Sequence, residues 1–120
     1  MTVHVFLIRA LETGRMLGAA AICAQARYAS IAAAGSARLE RRFVAPAGWL
    51  AIEREFGDQL EPGPLPTTSA VVQALQLGTD QVVQYLSAEP ISQDAPAAVV
   101  SALDERLRAA VAAPRLELQR

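Results

Sequence analysis

Thr67 to Ser87, TTSAVVQALQLGTDQVVQYLS, is the stretch whose reading decides the fold. Val71, Leu75, Gly78, Val82 and Leu86 recur at spacings of three and four, the apolar stripe of one amphipathic helix. Thr67, Thr68 and Ser69 supply side-chain oxygens for its first turn, with Pro66 just outside. A second reading breaks the run at Leu77-Gly78-Thr79. Gly78 can take the positive φ that ends a helix, and Thr79 can cap another from Asp80 to Leu86.

In that second reading, Ala74-Leu75-Gln76-Leu77-Gly78-Thr79 followed by Val82 and Tyr85-Leu86 resembles the helix-turn-helix of phage-repressor-type regulators. The resemblance covers Ala74 to Leu86 and no more. Gln76 stands where that family's turn usually has Gly, and Gly78 where a capping hydroxyl is usual. It implies a DNA-binding regulator with Thr79, Asp80, Gln81 and Gln84 on a recognition helix, the two glutamines reading adenine edges. That helix has no Arg or Lys, so Arg38, Arg41 and Arg42 would have to supply the phosphate contacts.

Working outward, Pro96 to Ala112 is the cleanest amphipathic helix, with Val99, Val100, Leu103, Leu107, Ala110 and Val111 inward. Its Asp104 and Arg108 are spaced as an outward i,i+4 pair. Asp94 is placed to cap it, after a loop over Ala88 to Ala95. Trp49, Ile52, Phe56 and Leu60 define another helix, with Glu53, Arg54, Glu55 and Asp58 on its wet side. Arg15 to Ala34 is Ala-rich and helical by propensity, its stripe being Leu17, Ala20, Ala24, Tyr28 and Ile31. Thr2 to Ile8, β-branched and apolar on both faces, reads as a buried strand or as the first turns of a long helix, with the strand preferred. Residues 38–45 fit an edge strand or a helical turn, and 115–119 alternate as a short strand. Three prolines in Pro62-Gly63-Pro64-Leu65-Pro66 exclude a helix there and predict a stiff connector over 61–66. The sum is a mainly α single domain, 1–120, of four or five helices in two halves joined by that connector. A small sheet from 2–8, 38–45 and 115–119 would make it α+β, the alternative.

Composition narrows the function. Hydrophobic residues are 52% of the chain, many of them Ala, which favours close packing over a thick core. Eleven basic residues, all Arg, face 12 acidic ones for a net charge of −1, which argues against a general binder of nucleic acid or anionic membrane. The absence of Lys and Asn fits a GC-rich bacterial-type genome. Cys23 is the single cysteine, so no internal disulfide forms, compatible with a reducing compartment. Met16 to Gly35 fails as a membrane span because Gln25 and Arg27 fall near its middle, and the residues before Met16 make a poor signal-peptide start. A cytoplasmic protein without membrane contact is the expectation.

Chemistry-bearing groups are sparse. Cys23 and His4 are the only nucleophile–base pair of their kind, and each reads more simply as a core residue. One His and one Cys exclude the usual zinc sets, and no phosphate loop or nucleophile elbow occurs, so no metal or cofactor is expected. Arg38, Arg41 and Arg42 are the one suggestive cluster, suited to phosphate or a carboxylate-bearing partner. The expectation is a non-catalytic, self-associating interaction protein of adaptor, assembly, chaperone-like or inhibitor type. The alternatives are the DNA-binding regulator and a small enzyme centred on Cys23 or His4.

Overall fold

In the computed structural model, residues 1–36, 38–57, 61–91 and 95–112 are described. β1 (Thr2–Ala10) is the strand that the sequence predicts over Thr2 to Ile8, and it is buried on both faces. Val3, Val5 and Leu7 point to one side and Phe6 and Ile8 to the other, as the period of two requires. Such a strand belongs in the middle of a sheet covered on both sides. It pairs with β2 (Met16–Cys23) and β6 (Gln81–Pro90), and β3 (Tyr28–Ala33), β4 (Leu39–Arg41) and β5 (Gly63–Leu65) complete six antiparallel strands in the order β4-β3-β2-β1-β6-β5.

The two faces are packed differently. On one, α3 (Pro96–Ala112) sets Val99, Leu103 and Leu107 against Val3, Val5, Leu7 and the small side chains Ala19, Ala21, Cys23 and Ala32. Small strand residues let the helix come close, and a spacing of four keeps its three anchors on one line. On the other, α1 (Pro46–Gly57) and α2 (Ala70–Ala74) cover Phe6, Ile22, Val83 and Tyr85 with Trp49, Ile52, Val71 and Leu75. Glu55 ties these two helices together. Its carboxylate accepts from Ser69 Oγ at 2.8 Å and from the N–H groups of Ala70 and Val71, the orphan donors of the first turn of α2. At Gly18, β2 and β3 approach so closely that a Cβ would lie 2.4 Å from the Ala32 carbonyl oxygen.

The fold is therefore α+β and sheet-rich, which overturns the mainly α expectation. The helix expected over Arg15 to Ala34 is the β2–β3 hairpin, closed by a turn in which Arg27 takes φ 51° and donates its N–H to Ala24 O. Ala favours helices only weakly, and burial between two layers outweighs it. The long helix over Thr67 to Ser87 is replaced by the single turn of α2, a reversal at Gln76 with φ 55°, and strand β6. The would-be recognition helix is thus a strand, paired antiparallel with β1 with a register shift at Leu86. β6 also runs through Ala88 to Pro90, where a loop was expected, and within the connector Gly63–Leu65 is an edge strand. β1 and β6, from either side of the connector 61–66, are neighbours in one sheet. Asp104 does not form an outward pair with Arg108: its Oδ1 is buried without a hydrogen-bond partner among the described residues, and Arg106 bonds the Glu89 carboxylate. Helices α1 and α3 fall on stretches read as helical, and of 38–45, which fits an edge strand or a helical turn, Leu39–Arg41 is a strand. Asp58, Leu60, Asp94 and 115–119 lie outside the described residues.

Leu103→Ala is expected to cost about 2–5 kcal/mol, and Ala21→Leu, which forces methylenes between β2 and α3, about 1–3 kcal/mol. Both should shift the urea midpoint without altering the slope of the transition.

Candidate functional site

The sheet has two edges, and they are built differently. At β5 the strand carries Pro64, which has no N–H to offer a further strand. At β4 the Arg42 N–H donates to Ala29 O at 2.8 Å. In an antiparallel ladder alternate residues face the same way, so Glu40 also faces β3 and the N–H and C=O of Leu39 and Arg41 face outward. Among the described residues nothing pairs with that edge, and it is flanked by arginines.

The same alternation distributes the side chains of β4. Arg41 lies over the Tyr28 ring, 5.1 Å from its centroid, on the face that carries α3. Burial pushes the Tyr28 phenol above its usual 10; Asp104 adds to the rise and Arg41 opposes it. Arg38, Glu40 and Arg42 line the opposite side, around a cleft of about 260 Å³ floored by Ile8, Leu17 and Ile31. Arg42 also borders a second cleft, of about 320 Å³, with Arg27, Arg41, Phe43, Val44 and Trp49. Its Nε is buried between them and has no hydrogen-bond partner among the described residues. Phe43 stands 82% exposed beside it.

Of the residues expected to contact DNA, Arg38, Arg42 and Gln81 line one cleft. Arg41 turns away from it, Gln84 is held within the sheet by a bond from Arg9 Nε at 2.9 Å, and Thr79 and Asp80 form the turn before β6. No exposed helix carries them into a groove. Arg27, Phe43 and Trp49 were not expected at the site. An aromatic directly after Arg41-Arg42 was the signal available.

His4 and Cys23 are separated by the sheet itself. Cys23 is fully buried on the α3 face, its thiol 3.6 Å from Gln25 Oε1. His4 lies on the other face, stacked on Phe56 with ring centroids 3.8 Å apart, and its Nδ1 shares a 2.8 Å hydrogen bond with the Tyr85 hydroxyl. Burial raises the Tyr85 phenol and lowers His4 from 6.5 to about 4. A cleft of about 350 Å³ adjoins His4, bordered by Thr2, Gln25, Glu53 and Phe56, and Cys23 does not line it. Among the described residues no group of three or more His, Cys, Asp or Glu is arranged to hold a metal ion. No helix in them is long and apolar enough to cross a membrane.

No protein-family model, curated protein or solved structure matches the chain.

The His4 imidazole is expected to titrate near 4 in an NMR pH series, against 6.5 for a free side chain. Between these values the unfolded chain takes up a proton that the folded chain does not, so His4 makes stability fall as pH drops through that window. His4→Phe should remove this part of the pH dependence.

Proposed function

We propose that the chain is a non-catalytic binding protein whose working surface is the open edge at β4, and that its partner is an extended acidic segment of another protein. One observation carries this reading: the edge without proline offers outward backbone groups between Arg38, Arg41 and Arg42, beside an exposed Phe43. An added strand takes its main-chain hydrogen bonds from such an edge and its specificity from the side chains on either hand. Carboxylates on the segment would meet guanidinium groups, which bind them through paired N–H donors.

The charge also bears on self-association. Two copies meeting edge to edge through β4 would bring Arg38, Arg41 and Arg42 of one against those of the other, and like charges across a strand pair repel. The arginines thus keep the edge from its own kind while leaving it open to an acidic chain. The expected self-association is not carried by this surface. The DNA-binding alternative has lost the helix on which it depended. The enzyme alternative has its two candidate groups on opposite faces of the sheet.

Trp49 is the only tryptophan and lines the arginine cleft, so its emission reports on the site. A short peptide alternating Glu and Thr should perturb that emission saturably at low salt and more weakly as salt rises, whereas a Lys–Thr counterpart should not. Arg41→Glu with Phe43→Ser should weaken binding by about tenfold or more. Equal binding of the two peptides, or an unaffected double variant, would refute the proposal.

A further inference from the structure

A second recognition site, which shares Arg38 and Arg42 with the strand edge but not Arg41, lies in the cleft between β4 and the loop that leads into β6. Its floor is apolar, made by Ile8, Leu17 and Ile31 from three successive strands, and neither α1 nor α2 closes it. Its rim is polar and mostly donating. Arg38 and Arg42 come from β4, and Arg42 Nε is the buried donor without a partner. Gln81 comes from the far wall. The Gly78 N–H donates to Gln81 Oε1 at 3.3 Å, and since that backbone group can only donate, the amide oxygen is committed to it. The NH₂ of Gln81 is then the end left for a ligand. Glu40 also borders the cleft. Two guanidinium groups against one carboxylate leave one positive charge.

An apolar floor, a rim of convergent donors and a single excess positive charge define one class of ligand. We infer that this cleft binds a small amphipathic monocarboxylate, its aliphatic or aryl body on Ile8, Leu17 and Ile31 and its carboxylate held by Arg42 with Arg38 and the Gln81 amide. The volume of about 260 Å³ suits a short acyl chain. A doubly charged anion would leave one negative charge uncompensated beside Glu40. A cation would meet the guanidinium groups directly.

The test uses the whole chain with hexanoate, hexylamine and acetate as probes, followed through the methyl resonances of Leu17 and Ile31 and by calorimetry. Hexanoate should move both resonances saturably. Hexylamine, of the wrong charge, and acetate, without the apolar body, should bind about tenfold more weakly or not at all. Arg38→Gln, a change at an exposed position, should weaken hexanoate by about tenfold, and Leu17→Trp should block it by filling the floor. Arg41→Gln should leave hexanoate binding unchanged, because Arg41 faces the other side of β4. That variant separates this site from the strand edge, where Arg41 is required. Equal binding of hexylamine, resonance changes confined to Phe43 or Phe56, or no saturable change at Leu17 and Ile31 would overturn the assignment.

Discussion

Burial of β1 on both faces is the constraint from which the rest of the structure follows. A strand with Val3, Val5 and Leu7 on one side and Phe6 and Ile8 on the other cannot sit at an edge or under a single layer without leaving large apolar groups in water. It needs a strand on each flank and helices above and below. β2 and β6 supply the flanks, α3 one cover, and α1 with α2 the other. Because β6 lies far along the chain from β1, residues 2–10 and 81–90 must meet before the core can close. Met1 and Ile91 reinforce this junction through their backbones: the Ile91 N–H donates to Met1 O at 2.6 Å.

A sheet so organised has a cost at its margins, since each outer strand presents unpaired backbone groups. The chain handles its two margins by different means. Pro64 removes a donor on β5, whereas β4 is left with its backbone groups open and is surrounded by guanidinium groups. This asymmetry links fold to function. The helices stop short of β4, so Phe43 and the arginine clefts stay accessible, and the same geometry that completes the core leaves one edge for another chain.

Some of this was legible in the sequence, and the reasons differ by element. α3 and α1 declared themselves because each buries one stripe and wets the other, with Pro96 and Pro46 at their starts. β1 was legible as a strand from its β-branched run but gave no hint of its partners. The β2–β3 hairpin was hidden because Ala on both faces erases the alternation of a strand, and because Arg27 rather than Gly or Asn takes the positive φ of the turn. In β6, Val82 and Leu86 mimicked a helical spacing. The buried positions are Val83 and Tyr85, a period of two that the eye passes over when Val82 is apolar as well. For the site, Arg38, Arg41 and Arg42 were legible as a charged group, yet only folding sends Arg41 to one face and its neighbours to the other. Gln81 was singled out for a base-reading role and sits instead on a cleft wall, a placement that depends on the reversal at Gln76.

Residue-resolved amide hydrogen exchange of the isolated protein tests the central claim most directly. Phe6 and Leu7, in the middle of β1, should be among the slowest amides, Glu40 and Arg42 should be protected by β3, and Leu39 and Arg41 should exchange quickly as free donors on an open edge. Protection of Leu39 and Arg41 equal to that of their neighbours would mean that the edge is already occupied, and fast exchange throughout β1 would mean that it is not the centre of the sheet.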